Sequence, residues 1–423
     1  MTFSQRFEEI RTGFERPFWV ANISELFERL SYYAVFAVLA TYLHEGLHFD
    51  VERASSLTGM FGGWVWFLAV IGGAVADRLG FRRALSLAYL ILSLAYFLMG
   101  SIGSPWLAPL RSHVPLVGLV AFILILPALG VALVKPSVVG TTARASKENV
   151  RSVGYSIYYT LVNVGSTAGP LLASWAQNHG IVENVFRIAA LSVFLMLFVV
   201  LLLFKEPRRA DEGDKASLAQ VGKNFLTVLS NPRFMLFLLI FTGYWIVFWQ
   251  EFIALPLYIR AYIDPHADTA RILATDPIVV ICFTMVIGFL TKRMQAFHAV
   301  VLGTLITSLG FVLLIVHPSV WMAVAALVVV AVGEIIQQPR YYDYISRLAP
   351  PGQQGTYMGF AFLPLGIGSF IAGPFSGWLM HHFGEELHRP QMVWWSVTAV
   401  GVATTLLLWI YDRLVRVDKN VTA

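Results

Sequence analysis

Charge is scarce in this sequence: only 13% of its 423 residues are Asp, Glu, Lys or Arg, about half the share usual in a soluble domain. With 57% of the chain hydrophobic, that scarcity excludes a soluble fold, because too little polar surface exists to cover the rest. Cysteine is nearly absent. The single Cys282 can make neither an intrachain disulfide nor a cysteine metal site, and its apolar setting reads as a small core residue. The sequence has no nucleophile with a placed base, no phosphate-binding loop and no metal cage, so neither an enzyme nor an ATP-driven pump is expected. The opening, MTFSQRFEEIRTGFERPFW, lacks the short apolar core and cleavage site of a signal peptide and reads as a retained cytoplasmic lead-in.

Long hydrophobic runs are what the chain has in abundance. They fall near 20–42, 55–76, 83–103, 113–136, 152–176, 187–204, 234–257, 275–291, 295–316, 320–344, 355–380 and 392–412, each about the length of a bilayer-spanning helix. The reading is an all-α polytopic membrane protein with twelve transmembrane helices in two six-helix bundles. The first bundle takes 1–204, a polar cytoplasmic loop 205–230, the second bundle 231–415 and a cytoplasmic tail 416–423. With the N-terminus inside, 22 of the 30 Lys and Arg fall in cytoplasmic segments and six in outer loops, while Arg29 and Lys135 lie within spans. That asymmetry puts both termini in the cytoplasm. It also accounts for the net charge of +5 without a nucleic-acid partner. Six plus six helices about a central loop is a common plan of secondary transporters. GGAVADRLGFRR (72–83) and FLTKRMQ (289–295) occupy corresponding links of the two halves, a weak internal echo. Asp77, Arg78 and Arg82 in the first link are candidates for a conformational role. So are Pro136 and Pro339, which interrupt helical hydrogen bonding inside spans.

Ionisable groups at membrane depth are expensive and point to function. ELFERLSYY opens the first span with Glu25, Glu28, Arg29, Tyr32 and Tyr33 on one broad helical face. Arg29 keeps its proton, whereas a glutamate beside another carboxylate can accept one. The cluster can therefore exchange a proton while staying largely paired; a structural clamp at a helix end is the other reading. Lys135 sits late in the fourth span, and either snorkels to water or pairs with a carboxylate of the first. Glu334, with Gln337 and Gln338 one turn on and Pro339 beyond, suits a cavity rather than lipid. Gln250 and Glu251, in YWIVFWQEFIALP with Trp245 and Trp249, fit either a cavity or the outer surface. Asn163, one turn after Tyr159, could hold a polar substrate group, and Gly165 and Gly169 permit close helix packing.

Several of these stretches resemble motifs of the proton-dependent oligopeptide transporter family, a branch of the major facilitator superfamily. ELFERLSYYA resembles its helix 1 motif, Glu-x-x-Glu-Arg-Phe-x-Tyr-Tyr-Gly, with Leu30 and Ala34 in place of Phe and Gly. YYTLVNVGSTAGP resembles its helix 5 signature through Tyr159, Asn163 and Gly165. Lys135-Pro136 matches its helix 4 lysine, GEIIQQP its helix 10 glutamate, and RLAPPGQQGTYMG extends the similarity into helix 11. The loop GGAVADRLGFRR is similar to the superfamily's motif. The resemblance implies that Glu25, Glu28 and Arg29 take part in proton coupling with Lys135 and Glu334. Lys135 and Arg29 would oppose a substrate carboxylate, and Glu334 would meet an ammonium. Tyr33 and Asn163 would line the substrate cavity; the further cavity candidates, read from the residues themselves, are Tyr32, Tyr159, Trp249, Gln250, Gln337 and Gln338, with Glu251 as an additional one. The chain departs from the family at Phe36 (usually Arg), Trp66 (Tyr), Gln338 (Ser), Ala361 (Trp) and Ser369 (Asn). The cavity positions Phe36 and Trp66 are thus remodelled.

The expected activity is proton-coupled uptake of di- or tripeptides, or of related small zwitterionic solutes, by alternating access. The protein would be a monomer in the bacterial inner membrane, in contact with lipids, with protons as coupling ion and no cofactor. Two alternatives remain: a proton-driven exporter of amphiphilic compounds, and a non-transporting membrane receptor or scaffold.

Overall fold

Inside a bilayer a backbone amide finds no water, so an apolar run of this length can satisfy itself only as a helix. A computed structural model describes residues 12–207, 226–349 and 354–415, and among these twelve helices have 15 residues or more. They are α1 (Arg16–Thr41), α2 (Val51–Leu79), α3 (Phe81–Met99), α4 (Leu116–Arg144), α5 (Arg151–Asn178) and α6 (Glu183–Leu203). After them come α7 (Pro232–Phe248), α8 (Thr275–Thr291), α9 (Ala296–Gly310), α10 (Val320–Leu348), α11 (Leu363–Leu379) and α12 (Gln391–Val415). An antiparallel bridge from Phe14 to Ser146 lies apart from any strand.

Nine of the described helical segments are long and apolar enough to cross a membrane. Of the long helices outside that group, α1 and α5, at 26 and 28 residues, have the length but a diluted apolar content. The reason is their content: α1 carries Glu25, Glu28 and Arg29, and α5 is rich in Ser, Thr, Asn and Gly.

The chain gathers into two compact units, Met1–Val35 with Leu68–Leu218, and Phe36–Phe67 with Ala219–Ala423. In the first, α3 packs along both α4 and α6. Pro136 removes the donor that the Ala132 carbonyl would otherwise have. Gly72 of α2 faces that carbonyl so closely that no Cβ would fit. At the α2–α3 link Gly80 takes φ +81°, a value that suits glycine. Glu206 accepts from the Phe81 and Arg82 amides, both at 2.8 Å, and so caps α3. Arg82 also donates to the Leu201 carbonyl at 2.6 Å, tying this turn to α6, and Arg78 is exposed. The Asp77 side chain lies outside the described residues.

In the second unit α10 packs against α8 and α9, and α7 against α11 and α12. Residues 36–67, the end of α1 and most of α2, join this unit through α7 and α11. Both units present large apolar side chains outward, among them Leu202, Met285, Leu290 and Trp321, each more than 70% exposed. That is what contact with lipid chains requires. Cys282 is one of these outward residues rather than a core residue. Its helix buries mainly the face towards α10, and Cys282 stands on the other side between exposed Ile281 and Phe283.

Candidate functional site

In the first unit α1 holds Glu25, Glu28 and Arg29 within one turn, and all three are buried. Arg29 donates to both oxygens of Glu28, at 2.5 and 2.8 Å, but comes only within 3.6 Å of Glu25. Glu25 keeps its Oε2 buried with no hydrogen-bond partner. The guanidinium also stands 4.8 Å from the ring centre of Tyr32, whose ring meets Tyr33 edge-on at 5.2 Å. Such closeness to α1 is made possible by α5. A Cβ at Gly165 would lie 2.8 Å from the Arg29 Cβ, and one at Gly169 only 2.6 Å from the Leu30 carbonyl. The two glycines therefore bring a second backbone against the charged turn, as small residues do in membrane helices. From α4, half-buried Lys135 enters the electrostatic field of Arg29, Glu25 and Glu28. From α3, the buried Tyr89 and Tyr96 feel the same charges. Two carboxylates and two cations thus form one nearly neutral cluster.

The second unit holds a different chemistry. Glu251, in a single 3-10 turn after α7, is fully buried with neither oxygen hydrogen-bonded. Asp276, at the start of α8, is buried with Oδ1 unpartnered, and Glu334 of α10 has a buried Oε2 in the same condition. The charges of Asp276 and Glu334 act on Glu251, and among the described residues no cation figures in the charges acting on the three. Around them stand the buried Gln337 and the buried Tyr244, whose hydroxyl faces the Gln337 amide and feels the charges of Glu334 and Asp276. Gln250 spends its amide nitrogen on the Ile246 carbonyl at 3.0 Å and leaves its oxygen free. Orphaned polar atoms in such number are rare in a finished interior.

An aromatic cluster lies in the same unit as this group of acids. Phe36 stacks on Phe252 with centroids 4.9 Å apart, and meets Trp249 and Phe61 at 5.5 Å each. Trp249 is fixed by its indole N–H donating to the Leu365 carbonyl at 3.0 Å. Trp66 stacks on Phe362 at 5.7 Å. Below the rings α2 and α11 run nearly in backbone contact: a Cβ at Gly59 would lie 2.6 Å from the Gly373 Cα. Ser369 donates to the Gly59 carbonyl at 2.9 Å. At the end of α1 Glu45 pairs with Arg260 at 2.6 Å.

Of the residues that the sequence singles out, Glu25, Glu28, Arg29, Tyr32, Tyr33 and Lys135 come together in the first unit. Asn163 is half-buried on α5 with its amide nitrogen donating to the Tyr159 carbonyl at 2.9 Å, and the Tyr159 ring is itself exposed. Phe36, Trp66 and Trp249 gather with aromatic neighbours, and Gln250, Glu251, Glu334 and Gln337 with other polar groups, in the second. Gln338 is half-buried, and α4 and α10 run through Pro136 and Pro339 without ending. Asp276, Tyr244, Tyr89 and Tyr96 are not singled out by the sequence. An aspartate opening an apolar run normally marks a helix end, so LATDPIVV gives no reason to suspect a buried carboxylate.

Known proteins share this plan. The family model of the Major Facilitator Superfamily matches residues 22–363 and 265–422. Multidrug resistance protein MdtH of Cronobacter sakazakii (strain ATCC BAA-894) is 24% identical over 343 residues, 81% of either chain. The same protein of Salmonella typhi is 24% identical over 348 residues, 82% of either. Among solved structures, a POT family transporter in complex with a thioalcohol conjugated peptide has a TM-score of 0.78 at 18% identity, covering 96% of this chain and 97% of that one. A POT family transporter in complex with 5-aminolevulinic acid has a TM-score of 0.77 at 18% identity with the same coverage. A peptide transporter POT in complex with alafosfalin has a TM-score of 0.75 at 19% identity, covering 95% of each chain. At such identities the solved structures establish a shared fold.

Proposed function

We infer a cargo and a coupling ion from one premise: the chain belongs to the Major Facilitator Superfamily, and so is an integral membrane transporter and not an enzyme. The proposed activity is proton-coupled symport of di- or tripeptides, or of closely related zwitterionic solutes, by alternating access across a bacterial inner membrane with both termini cytoplasmic. The observation that carries it is the buried Glu25/Glu28/Arg29 turn with Lys135 in its field. Glu28 is locked to Arg29 by two hydrogen bonds, whereas Glu25 has a longer contact and a spare oxygen. Glu25 is therefore the carboxylate that gains and loses the proton. When it does, Lys135 loses one of its two balancing anions and is released to hold a substrate carboxylate. Glu334 supplies the complementary charge for an ammonium. The ring cluster of Phe36, Phe61, Trp249 and Phe252, with the Gly59–Gly373 approach, is the outer barrier, and it must part once per cycle.

A second reading has its own support. Relatives named for multidrug resistance match four-fifths of the chain, and the rings at Phe36 and Trp66 favour an amphiphilic cargo over a plain peptide. It predicts protein-mediated proton movement against the direction of cargo. Purified protein in liposomes with a trapped pH dye separates the two. Peptide-dependent acidification that disappears in Glu25→Gln and Glu334→Gln supports symport. A flat signal with peptides, together with proton efflux on adding an amphiphilic cation, would overturn it in favour of exchange.

A further inference from the structure

The link between α8 and α9 bears a concentration of positive charge that the transport cycle does not use. Lys292 and Arg293 follow directly on α8, and Arg340 and Arg347 lie in the last three turns of α10. All four line one cavity of about 220 Å³ together with Gln295 and Asp343. Asp343 is the lining residue of opposite sign, and it is engaged by Arg347 at 3.0 Å. Arg340 is held in place by donating to the Thr291 carbonyl at 3.2 Å. A further positive end comes from the backbone. The 15-residue α9 starts at this cavity with Gln295 in the capping position, and the Gln295 side chain caps no backbone N–H. Open N–H groups at a helix start, surrounded by cations, are a ready site for a phosphate-type oxyanion.

Two sources could supply such an anion, a soluble phosphate or a phospholipid headgroup. The walls decide between them. Ile281, Met285 and Phe289, four residues apart on one face of α8, are exposed and form an apolar strip that runs to the cavity. The Lys292 ammonium lies 3.9 Å over the Phe289 ring, at the border between that strip and the polar pocket. This is the posture of a side chain that spans an acyl region and a headgroup region. We propose that the cavity binds the phosphodiester headgroup of an anionic phospholipid, whose chains lie against the exposed face of α8.

The test uses the full chain, delipidated in neutral detergent, titrated separately with phosphatidylglycerol, phosphatidylcholine and inorganic phosphate. Bound lipid is counted by native mass spectrometry and the thermal midpoint is followed in parallel. Lys292→Gln/Arg293→Gln is the main variant, because both residues are exposed. Arg340→Gln is the second. Phosphatidylglycerol should bind the wild type and raise its midpoint, and should bind the double variant roughly tenfold to thirtyfold more weakly. Equal binding of phosphatidylglycerol and phosphatidylcholine, or undiminished binding by both variants, overturns the proposal. If inorganic phosphate alone reproduces the midpoint shift and displaces the lipid, the site is one for soluble phosphate and the lipid assignment fails.

Discussion

Arg29 divides itself unequally between two carboxylates, and that inequality separates what each would do if removed. Glu28→Gln takes away the bidentate partner of a buried guanidinium, a loss of about 3–5 kcal/mol in comparable buried pairs. Its thermal midpoint in detergent should fall by many degrees. Glu25→Gln leaves the 2.5 and 2.8 Å contacts in place, so its midpoint should stay near the wild type while substrate-driven acidification of liposomes is lost. If both variants melt alike, the two glutamates are a structural clamp and the division of roles is wrong. In the second unit Asp276→Asn removes one of three carboxylates that no cation among the described residues offsets. Its midpoint should hold or rise. A marked drop would reveal a cation partner for Asp276.

At the scale of elements, close approach is what the glycines supply. Gly165→Val would force α5 away from α1 at Arg29, and Gly373→Val would force α11 away from α2 at Gly59. Overpacking of this kind costs about 1–3 kcal/mol. The functional outcomes should differ. Gly165→Val should disturb proton coupling, read as substrate movement without acidification, whereas Gly373→Val should leave the outer barrier leaky, read as faster labelling of a cysteine placed at Phe61. The same elements show how much of the site is legible in the sequence. Spacings of three and four suffice to put Glu25, Glu28, Arg29 and Tyr32 on one face, because helical periodicity is a local property. The contact of Ser369 with Gly59 joins positions 310 residues apart, and no local pattern announces it. Asp276 stays hidden for a related reason: only tertiary packing, of which α8 against α10 is part, turns a helix-start aspartate into a buried acid. Cys282 reads wrongly as core because an apolar run in a bilayer has two apolar sides, and sequence does not say which one meets lipid.

For the molecule as a whole, the proposed aromatic barrier sets expectations of its own. Phe36 meets Phe61, Trp249 and Phe252 through rings alone, so closure at the proposed barrier should depend little on salt, which screens charges and not ring stacking. Transport in liposomes over a range of potassium chloride at fixed pH and potential checks this, and a steep salt dependence would point instead to Glu45 and Arg260 as the closing contact. A last consequence concerns how the chain is made. Within α1, Glu25, Glu28 and Arg29 each weigh against partition into lipid by roughly 2.5–3.5 kcal/mol on insertion scales. Their relief comes from Lys135 and from Gly165 and Gly169, which emerge from the ribosome more than 100 residues later. At ordinary synthesis rates that is a delay of about 5–30 s. During it α1 is a poor passenger of the bilayer by itself, so the first helix made should be among the last to settle, sheltered at the insertion machinery until α4 and α5 arrive.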